Sequence, residues 1–120
     1  MNATPLSDKM LDLIARRFRV LGEPFRLRIL HELQSGEKTV NELVDALDGN
    51  QPNVSKHLQL LHEAGLVGRR REGNSIFYAI SDPMVFKLCD LVCRSEAQRT
   101  RQEFDHWSGI ATQSRTTTRK

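Results

Sequence analysis

Two stretches of the sequence carry the side-chain types that proteins use to bind nucleic acid. The first begins at Asn50 and contains amides and short polar side chains, which hydrogen-bond to base edges, together with a lysine for phosphate. The second places three arginines in a row shortly before a Gly-Asn pair. We predict DNA contacts from both stretches, namely Gln51, Asn53, Ser55, Lys56, His57, Gln59, Arg69, Arg70, Arg71 and Asn74.

Helical periodicity predicts which side of the first stretch faces solvent. At about 100° per residue, Leu58 and Leu61 fall within about 40° of Val54, and these three predict a buried stripe. The side chains opposite this stripe are Ser55, Lys56 and Gln59. His57 lies nearer the stripe, which favours packing or phosphate contact over base contact. The alternative interpretation of the outward side is an ordinary solvated helix face.

The three arginines are predicted to lie on a strand, where successive side chains alternate between the two faces. Arg69 and Arg71 would then share one face, and Arg70 would lie on the other. Either face offers arginine to phosphates or to the minor groove. The alternative is a solvated hairpin with charges that serve solubility.

The two cysteines form a second candidate site. Cys89 and Cys93 are spaced four residues apart, which places them on one helix face. Two thiolates so placed can bind one soft ion such as arsenite, and the thiols of a second copy of the chain could join them. Alternatively, both cysteines pack as small apolar residues. In a reducing compartment they would be thiols.

The remaining residues do not indicate catalysis. The four histidines, at positions 31, 57, 62 and 106, are scattered along the chain. The sequence has no Gly-rich phosphate loop, no spaced set of catalytic metal ligands and no evident nucleophile with its base. We therefore expect that the protein is not an enzyme.

Four helical segments are predicted to precede a β-hairpin. Apolar residues recur at helical spacing from Leu6 to about Leu21, and Pro24 opens a second helix that ends at Gly36. A third helix ends at Asp48-Gly49, and a fourth ends at Gly65. The predicted N-caps are Ser7, Thr39 (with Glu42 in a capping box) and Asn50.

After the fourth helix the periodicity changes to two. Two alternating runs around the turn at residues 72–74 predict a hairpin, and a last helix opens at Ser81-Asp82-Pro83 and reaches about Phe104. The predicted fold class is mainly α with a small β-hairpin, in the order α-α-α-α-β-β-α. Two helices joined by a tight turn and followed by a basic hairpin are the parts of a winged helix-turn-helix.

Length and composition are compatible with one small DNA-binding domain. We predict a flexible N-terminus at residues 1–5, a DNA-binding and dimerisation domain at residues 6–105 and a flexible basic tail at residues 106–120. The chain has a formal net charge of +3, which by itself is weak support for a nucleic-acid partner. No stretch approaches the roughly 20 apolar residues of a membrane span, and no signal peptide is evident, so we expect a cytoplasmic protein without a membrane partner.

Three segments, in this order, resemble the ArsR/SmtB family of winged-helix repressors. Residues 21–30 (LGEPFRLRIL) are similar to the second-helix signature of that family. Residues 51–67 (QPNVSKHLQLLHEAGLV) resemble its recognition helix, and residues 70–78 (RREGNSIFY) resemble its wing. The resemblance covers about residues 10–95. It implies a homodimer that represses transcription at an inverted-repeat operator until an effector releases it.

The resemblance also implies a dimer interface built from the first and last helices. Both helices carry more apolar surface than a small core can bury, which agrees with this implication. Two recognition helices about 34 Å apart would then reach successive major grooves. The predicted interface residues are Leu11, Ile14, Phe18, Val85, Leu88, Cys89 and Val92.

The metal sites known in the family are absent from this sequence. The third helix has no thiol where soft-metal members have Cys-x-Cys, and the second helix lacks the cysteine of members that sense sulfur species. On the last helix Asp82 is present, but Met84, Ser95 and Gln98 occupy the other zinc-ligand positions. No cofactor is therefore certain, and the candidate effector is arsenite, another thiophilic ion or an oxidant acting at Cys89 and Cys93.

Two further interpretations stay open. The chain could be an ArsR-like DNA-binding regulator without metal or thiol sensing. It could also be a winged-helix module that binds protein, for which an apolar or acidic outward face on the fourth helix would be expected. The polar and basic outward side of that helix argues against the second interpretation.

Overall fold

The computed structural model describes residues 6–111, with side chains described for residues 6–102. The chain divides into two compact units, one ending at Pro83 and the other beginning at Met84. The predicted flexible N-terminus at residues 1–5 and the last part of the predicted tail, residues 112–120, lie outside the described residues.

The first unit is helical except for a small antiparallel sheet, and the second is one long helix. The elements are α1 (Asp8–Leu21), α2 (Pro24–Leu33), β1 (Lys38–Thr39), α3 (Val40–Leu47), α4 (Gln51–Glu63), β2 (Val67–Glu72), β3 (Ser75–Ile80) and α5 (Met84–Ala111). The predicted mainly α fold with a β-hairpin is confirmed. The predicted order of elements lacked one strand, β1.

Side-chain caps set the beginnings of the helices. The Ser7 hydroxyl accepts the N–H of Met10 at 3.1 Å, and the Asn50 side chain accepts the N–H of Asn53 at 2.9 Å. Thr39 and Glu42 form the reciprocal capping box, with distances of 3.2 Å and 2.8 Å. These local bonds satisfy backbone donors that a helix leaves unpaired, which is why they were predictable from short sequence patterns.

Strand β1 completes a three-stranded sheet with the order β1-β3-β2. It pairs antiparallel with β3, so that Lys38 lies opposite Tyr78 and Thr39 opposite Phe77. A strand of two residues is too short to show an alternating pattern, which explains why the sequence did not predict it. It ties the hairpin to the segment between α2 and α3.

The core of the first unit lies among α2, α3, α4 and the start of β2. Its side chains come from every one of these elements, and α4 is buried on one side from Val54 to Leu61. Those with 0 or 1% of their surface exposed are Ile29, Leu43, Val54, Leu58, Leu61, Leu66 and Val67.

A tight turn between α3 and α4 depends on one glycine. Asp48 adopts a left-handed conformation with φ of 55°, and the N–H of Gly49 donates to the Val44 carbonyl at 3.1 Å. A Cβ at position 49 would lie 3.2 Å from Cζ of Phe25 and 3.4 Å from Cγ2 of Val54. The turn can therefore pack this closely only because residue 49 has no side chain.

Helix α5 extends further than the sequence predicted. It continues to Ala111, past the expected end near Phe104, and residues 106–111 of the predicted tail are helical. The physical reason is that no proline follows Met84 to break the hydrogen-bond ladder, and polar residues such as Gln and Arg are good helix formers.

Candidate nucleic-acid interface

Helix α4 presents a polar face to solvent because its other face is fully packed. Val54, Leu58 and Leu61 are all 0% exposed, which confirms the predicted buried stripe. Among the predicted DNA contacts on α4, Gln51, Lys56 and Gln59 are exposed, and Asn53 and Ser55 are half-buried. Side chains of these types near the beginning of a helix can reach base edges and phosphates.

His57 does not belong to this exposed face, and its contact with DNA stays a prediction. Its side chain is 7% exposed and its ring lies 5.3 Å from that of Phe25. Nη1 of Arg26 donates to Nδ1 of His57 at 3.1 Å, which assigns the ring a neutral form with its proton on Nε2. Burial lowers the pKa of His57; Glu23 opposes this shift, and Arg26 and Lys56 add to it. His57 therefore packs α4 against α2.

Arg26 contacts both the middle of α4 and the last part of α1. Besides its bond to His57, its Nε donates to the Val20 carbonyl at 2.6 Å. Its backbone N–H donates to the Glu23 carboxylate at 3.1 Å, and this bond lowers the pKa of Glu23. Arg26 could not be predicted as part of the site, because its partner on α4 lies 31 residues away and no local pattern links the two.

Gln59 joins α4 to the hairpin. Its Nε2 donates to the carboxylate of Glu63 at 3.0 Å, while its Oε1 accepts a bond from Nη1 of Arg69 at 3.4 Å. Nearby, Nδ1 of His62 lies 3.1 Å from the carbonyl oxygen of Val67, the first residue of β2. The exposed side of α4 and the first arginine of the hairpin thus form one continuous polar surface.

The hairpin separates its three arginines between two faces, as predicted from strand alternation. The cross-strand pairs are Arg69 with Tyr78, Arg70 with Phe77 and Arg71 with Ile76. Because cross-strand partners share a face, Arg69 and Arg71 lie on one side and Arg70 on the other. The turn that follows uses Gly73 with φ of 63°, and Asn74 beside it is exposed.

Arg70 is held on its face by two carboxylates and one aromatic ring. Its Nη2 and Nε donate to Glu37 at 2.6 Å and 3.0 Å, and its Nη1 donates to Glu72 at 2.5 Å. The guanidinium carbon lies 4.7 Å from the centroid of the Phe77 ring. The bonds to Glu37 and Glu72 raise the pKa of Arg70, and the same interaction lowers the pKa of Glu37.

The predicted interface residues on α1 are exposed. Leu11, Ile14 and Phe18 have 46%, 36% and 59% of their surface accessible. Three further apolar side chains of this region, Leu6, Met10 and Leu13, are also exposed. Helix α1 therefore offers apolar surface to water in the single chain.

The predicted interface residues on α5 differ in exposure. Val85 is 1% exposed, and its place in a dimer interface stays a prediction. Leu88 and Cys89 are half-buried, whereas Val92 and Cys93 are exposed.

The environment of Cys89 changes the acidity of its thiol. Burial raises the pKa of the Cys89 thiol, and the charge of Cys93 raises it further. Within the described residues, no group of three or more His, Cys, Asp and Glu side chains could hold a metal ion. No helix in the described part of the chain is long and apolar enough to cross a membrane.

These features define the class of the domain. Helices α3 and α4 joined by a tight turn, followed by an antiparallel hairpin with arginines on its outer strand, form a winged helix-turn-helix. The family model for "Bacterial regulatory protein, arsR family" matches residues 23–68.

Relatives match over a longer part of the chain. The probable mercury resistance operon repressor of Streptomyces lividans is 42% identical over 77 residues, which are 64% of this chain and 62% of that repressor. The crystal structure of Rv0081 from M. tuberculosis has a TM-score of 0.74 at 30% identity. The match covers 82% of this chain and 99% of the Rv0081 chain.

A third relative is described by both its fold and its family. The homodimeric winged helix-turn-helix DNA-binding domain of Mycobacterium bovis, described as a possible ArsR-family transcriptional regulator, has a TM-score of 0.70 at 34% identity. The match covers 80% of this chain and 92% of that domain. The chain belongs to the ArsR family, whose matched members are named as transcriptional regulators and not as enzymes.

Proposed function

We propose that the protein is a transcription repressor that binds duplex DNA as a homodimer, with α4 in the major groove. The observation that carries this proposal is the continuous polar surface in which Gln59 of α4 contacts Arg69 of the hairpin. The Streptomyces lividans relative, of which the chain spans less than two thirds, is named as an operon repressor, which supports the same function.

The two parts of the surface have different chemistry. Amide and hydroxyl side chains on α4, above all Gln51 and Ser55, have donors and acceptors that can discriminate between base edges. Lys56, Arg69 and Arg71 supply positive charge for phosphates, which gives affinity without sequence preference. We therefore assign sequence preference to α4 and most of the salt-dependent affinity to the cations.

A binding experiment with selected and scrambled duplexes tests this assignment. Duplexes are first selected by the protein from a random pool, and affinities are then measured by fluorescence anisotropy over a range of salt concentrations. Gln51→Ala and Ser55→Ala should reduce the preference for the selected sequence by about tenfold, since one good base contact is worth roughly 1–3 kcal/mol. Gln34→Ala, an exposed amide just after α2, is the matched control.

Three results would contradict the proposal. The first is the absence of any selected sequence. The second is an affinity that hardly changes with salt, because phosphate contacts release counterions and make binding salt-dependent. The third is equal loss of preference in Gln34→Ala and Gln51→Ala, which would place base discrimination elsewhere.

We propose that α1 forms part of the dimer contact. Its exposed apolar side chains would be covered by a second copy, and the Mycobacterium bovis relative is homodimeric. Phe18→Glu should shift the protein to monomers in sedimentation and weaken binding to an inverted repeat. Lys9→Glu introduces the same side chain on the opposite side of α1 and should remain dimeric. Equal sedimentation of Phe18→Glu and the unsubstituted protein would exclude α1 from the contact.

We propose, finally, that a thiol-reactive effector acts at Cys89 and Cys93. Support comes from their spacing on α5, from the partial exposure of both thiols and from the relative named for mercury resistance. When two thiols bind arsenious acid, each replaces one hydroxyl group, and each released hydroxyl leaves as water with the thiol proton. Oxidation by peroxide would instead join two thiols in a disulfide and form two waters.

Titration of the protein–DNA complex tests the sensing proposal. Arsenite, Hg²⁺ and hydrogen peroxide are added separately to the unsubstituted protein and to the Cys89→Ser and Cys93→Ser double variant. Release of DNA should occur with at least one reagent, and the double variant should resist it. Release that is unchanged in the double variant, or no release with any reagent, would refute thiol sensing and favour a regulator without this response.

A further inference from the structure

We infer that Glu37 and Arg70 form a positioning pair that fixes the hairpin for DNA binding, and that Arg70 is not a phosphate ligand. This inference rests on the proposed DNA-binding function and assigns different roles to arginines that are adjacent in sequence. The carboxylate of Glu37 accepts two bonds from Arg70, at 2.6 Å and 3.0 Å, in a bidentate arrangement that favours one orientation.

Arg69 and Arg70 lie on opposite faces of the hairpin. Arg69 lies on the sheet face whose side chains reach α4, because it contacts Gln59. Arg70 lies on the opposite face, stacked on Phe77 at 4.7 Å from the ring centroid. The surface that joins α4 to the hairpin is therefore continued by Arg69 and Arg71, and Arg70 is directed away from it.

The contact between Arg70 and Glu37 spans the sheet. Arg70 is on β2, Phe77 is its neighbour on β3, and Glu37 directly precedes β1. The side chain of Arg70 thus crosses β3 and reaches the segment between α2 and α3. Since β1 pairs with β3 over only two residues, this contact adds a second attachment of the hairpin to the segment that leads into α3.

Arg70 and Arg69 differ in the charge of the groups that they contact. Arg70 is bonded to two carboxylates, Glu37 and Glu72, which together more than offset its positive charge. A phosphate approaching Arg70 would meet both carboxylates and would have to displace them. Arg69, in contrast, is bonded to the neutral amide of Gln59, so its positive charge is not offset there. Positive charge for DNA is accordingly concentrated on the face of Arg69 and Arg71.

The expected effect is moderate because the pair is partly exposed, with side-chain exposures of 50% for Arg70 and 40% for Glu37. Exposed ion pairs usually change an equilibrium by about fivefold at most, and each dimer contains the pair twice. Loss of the pair should therefore weaken DNA binding by roughly threefold to twentyfold. The number of phosphate contacts should not change.

A double-mutant cycle with a salt titration tests the inference. Glu37→Gln, Arg70→Gln and the double variant are compared with the unsubstituted dimer at a temperature where all four are fully folded by circular dichroism, so that a loss of stability alone cannot change the affinity. Both single variants should weaken binding by a similar factor, and the double variant should bind no more weakly than Arg70→Gln. The dependence of log K on log salt should keep its slope in all three variants.

Arg71→Gln is the matched control, because it removes the same charge from the same strand on the opposite face. Its salt slope should become shallower by about 0.9 per protomer. Hydrogen exchange of the β2 amides in the free protein should be faster in Glu37→Gln and unchanged in Arg71→Gln.

Two results would overturn this inference and leave the proposed function intact. One is a salt slope in Arg70→Gln that falls as much as in Arg71→Gln, which would make Arg70 a phosphate ligand. The other is tighter or unchanged DNA binding by Glu37→Gln, which would mean that Glu37 competes with DNA or has no role. If the unsubstituted protein binds no DNA, the proposed function fails and the inference fails with it.

Discussion

Gly49→Ala should lower the stability of the first unit, because the turn between α3 and α4 has no room for a methyl group. The added Cβ would lie 3.2 Å from Cζ of Phe25 and 3.4 Å from Cγ2 of Val54. Favourable carbon–carbon contacts lie at about 3.5–4.0 Å, so the Phe25 ring must move by a few tenths of an ångström, whereas the contact with Val54 is at the short end of the ordinary range. Val54 is 0% exposed and cannot move without disturbing the core.

The size of the effect follows from two opposing contributions. Overpacking a dense site costs about 1–3 kcal/mol, whereas replacing glycine by alanine stabilises by about 0.4–1 kcal/mol through the unfolded chain. The net loss should be roughly 0.5–2 kcal/mol, and the melting temperature should fall by about 2–8 °C. Phe25 also contacts His57 on α4, so the displacement reaches the recognition helix and should weaken DNA binding.

Gly68→Ala provides the control, since its added Cβ would lie 3.7 Å from Cβ of Ser81, an ordinary contact. Both variants are compared with the unsubstituted protein by thermal denaturation followed by circular dichroism. Gly68→Ala should melt at the same temperature or higher. If Gly49→Ala melted at or above the temperature of the unsubstituted protein, the packing explanation of this turn would be refuted.

Three other changes should have measurable effects on unfolding in urea. Thr39→Ala removes the capping box with Glu42 and should cost about 0.5–2 kcal/mol; no loss would mean that the cap is redundant. Leu58→Ala leaves a cavity at a side chain that is 0% exposed and should cost about 2–5 kcal/mol, whereas a loss below 1 kcal/mol would contradict its place in the core. Because burial lowers the pKa of folded His57 below its ordinary value of about 6.5, the unfolded chain binds more protons in acid, and the free energy of unfolding should fall as pH drops below about 6.5. His57→Gln should show a smaller fall, and an equal fall in both proteins would show that His57 is not responsible.

The features that sequence could predict depend on residues close to one another in the chain. The cap at Thr39 and the stripe of Val54, Leu58 and Leu61 each follow from spacings within one or two helical turns. The polar side of α4 follows from the same spacing. A resemblance in three ordered segments then indicated the family, which the comparisons confirmed.

The features that sequence could not predict depend on distant residues. Arg26 approaches His57 across 31 residues, and Glu37 approaches Arg70 across 33 residues. Neither contact has a local signal, so the sequence could not predict which residues Arg26 and Glu37 contact. The low exposure of Val85 could not be predicted either, because an apolar stripe does not show which of its members are buried.

Strand β2 is an outer strand of the sheet, because the strand order is β1-β3-β2. Such a border leaves backbone N–H and C=O groups unpaired, and these can add a foreign strand and start fibrous assembly. Arg69 and Arg71 on this border repel the same strand of another molecule. The positive charge of these two arginines thus protects the fold against edge-to-edge stacking, whether or not DNA is bound.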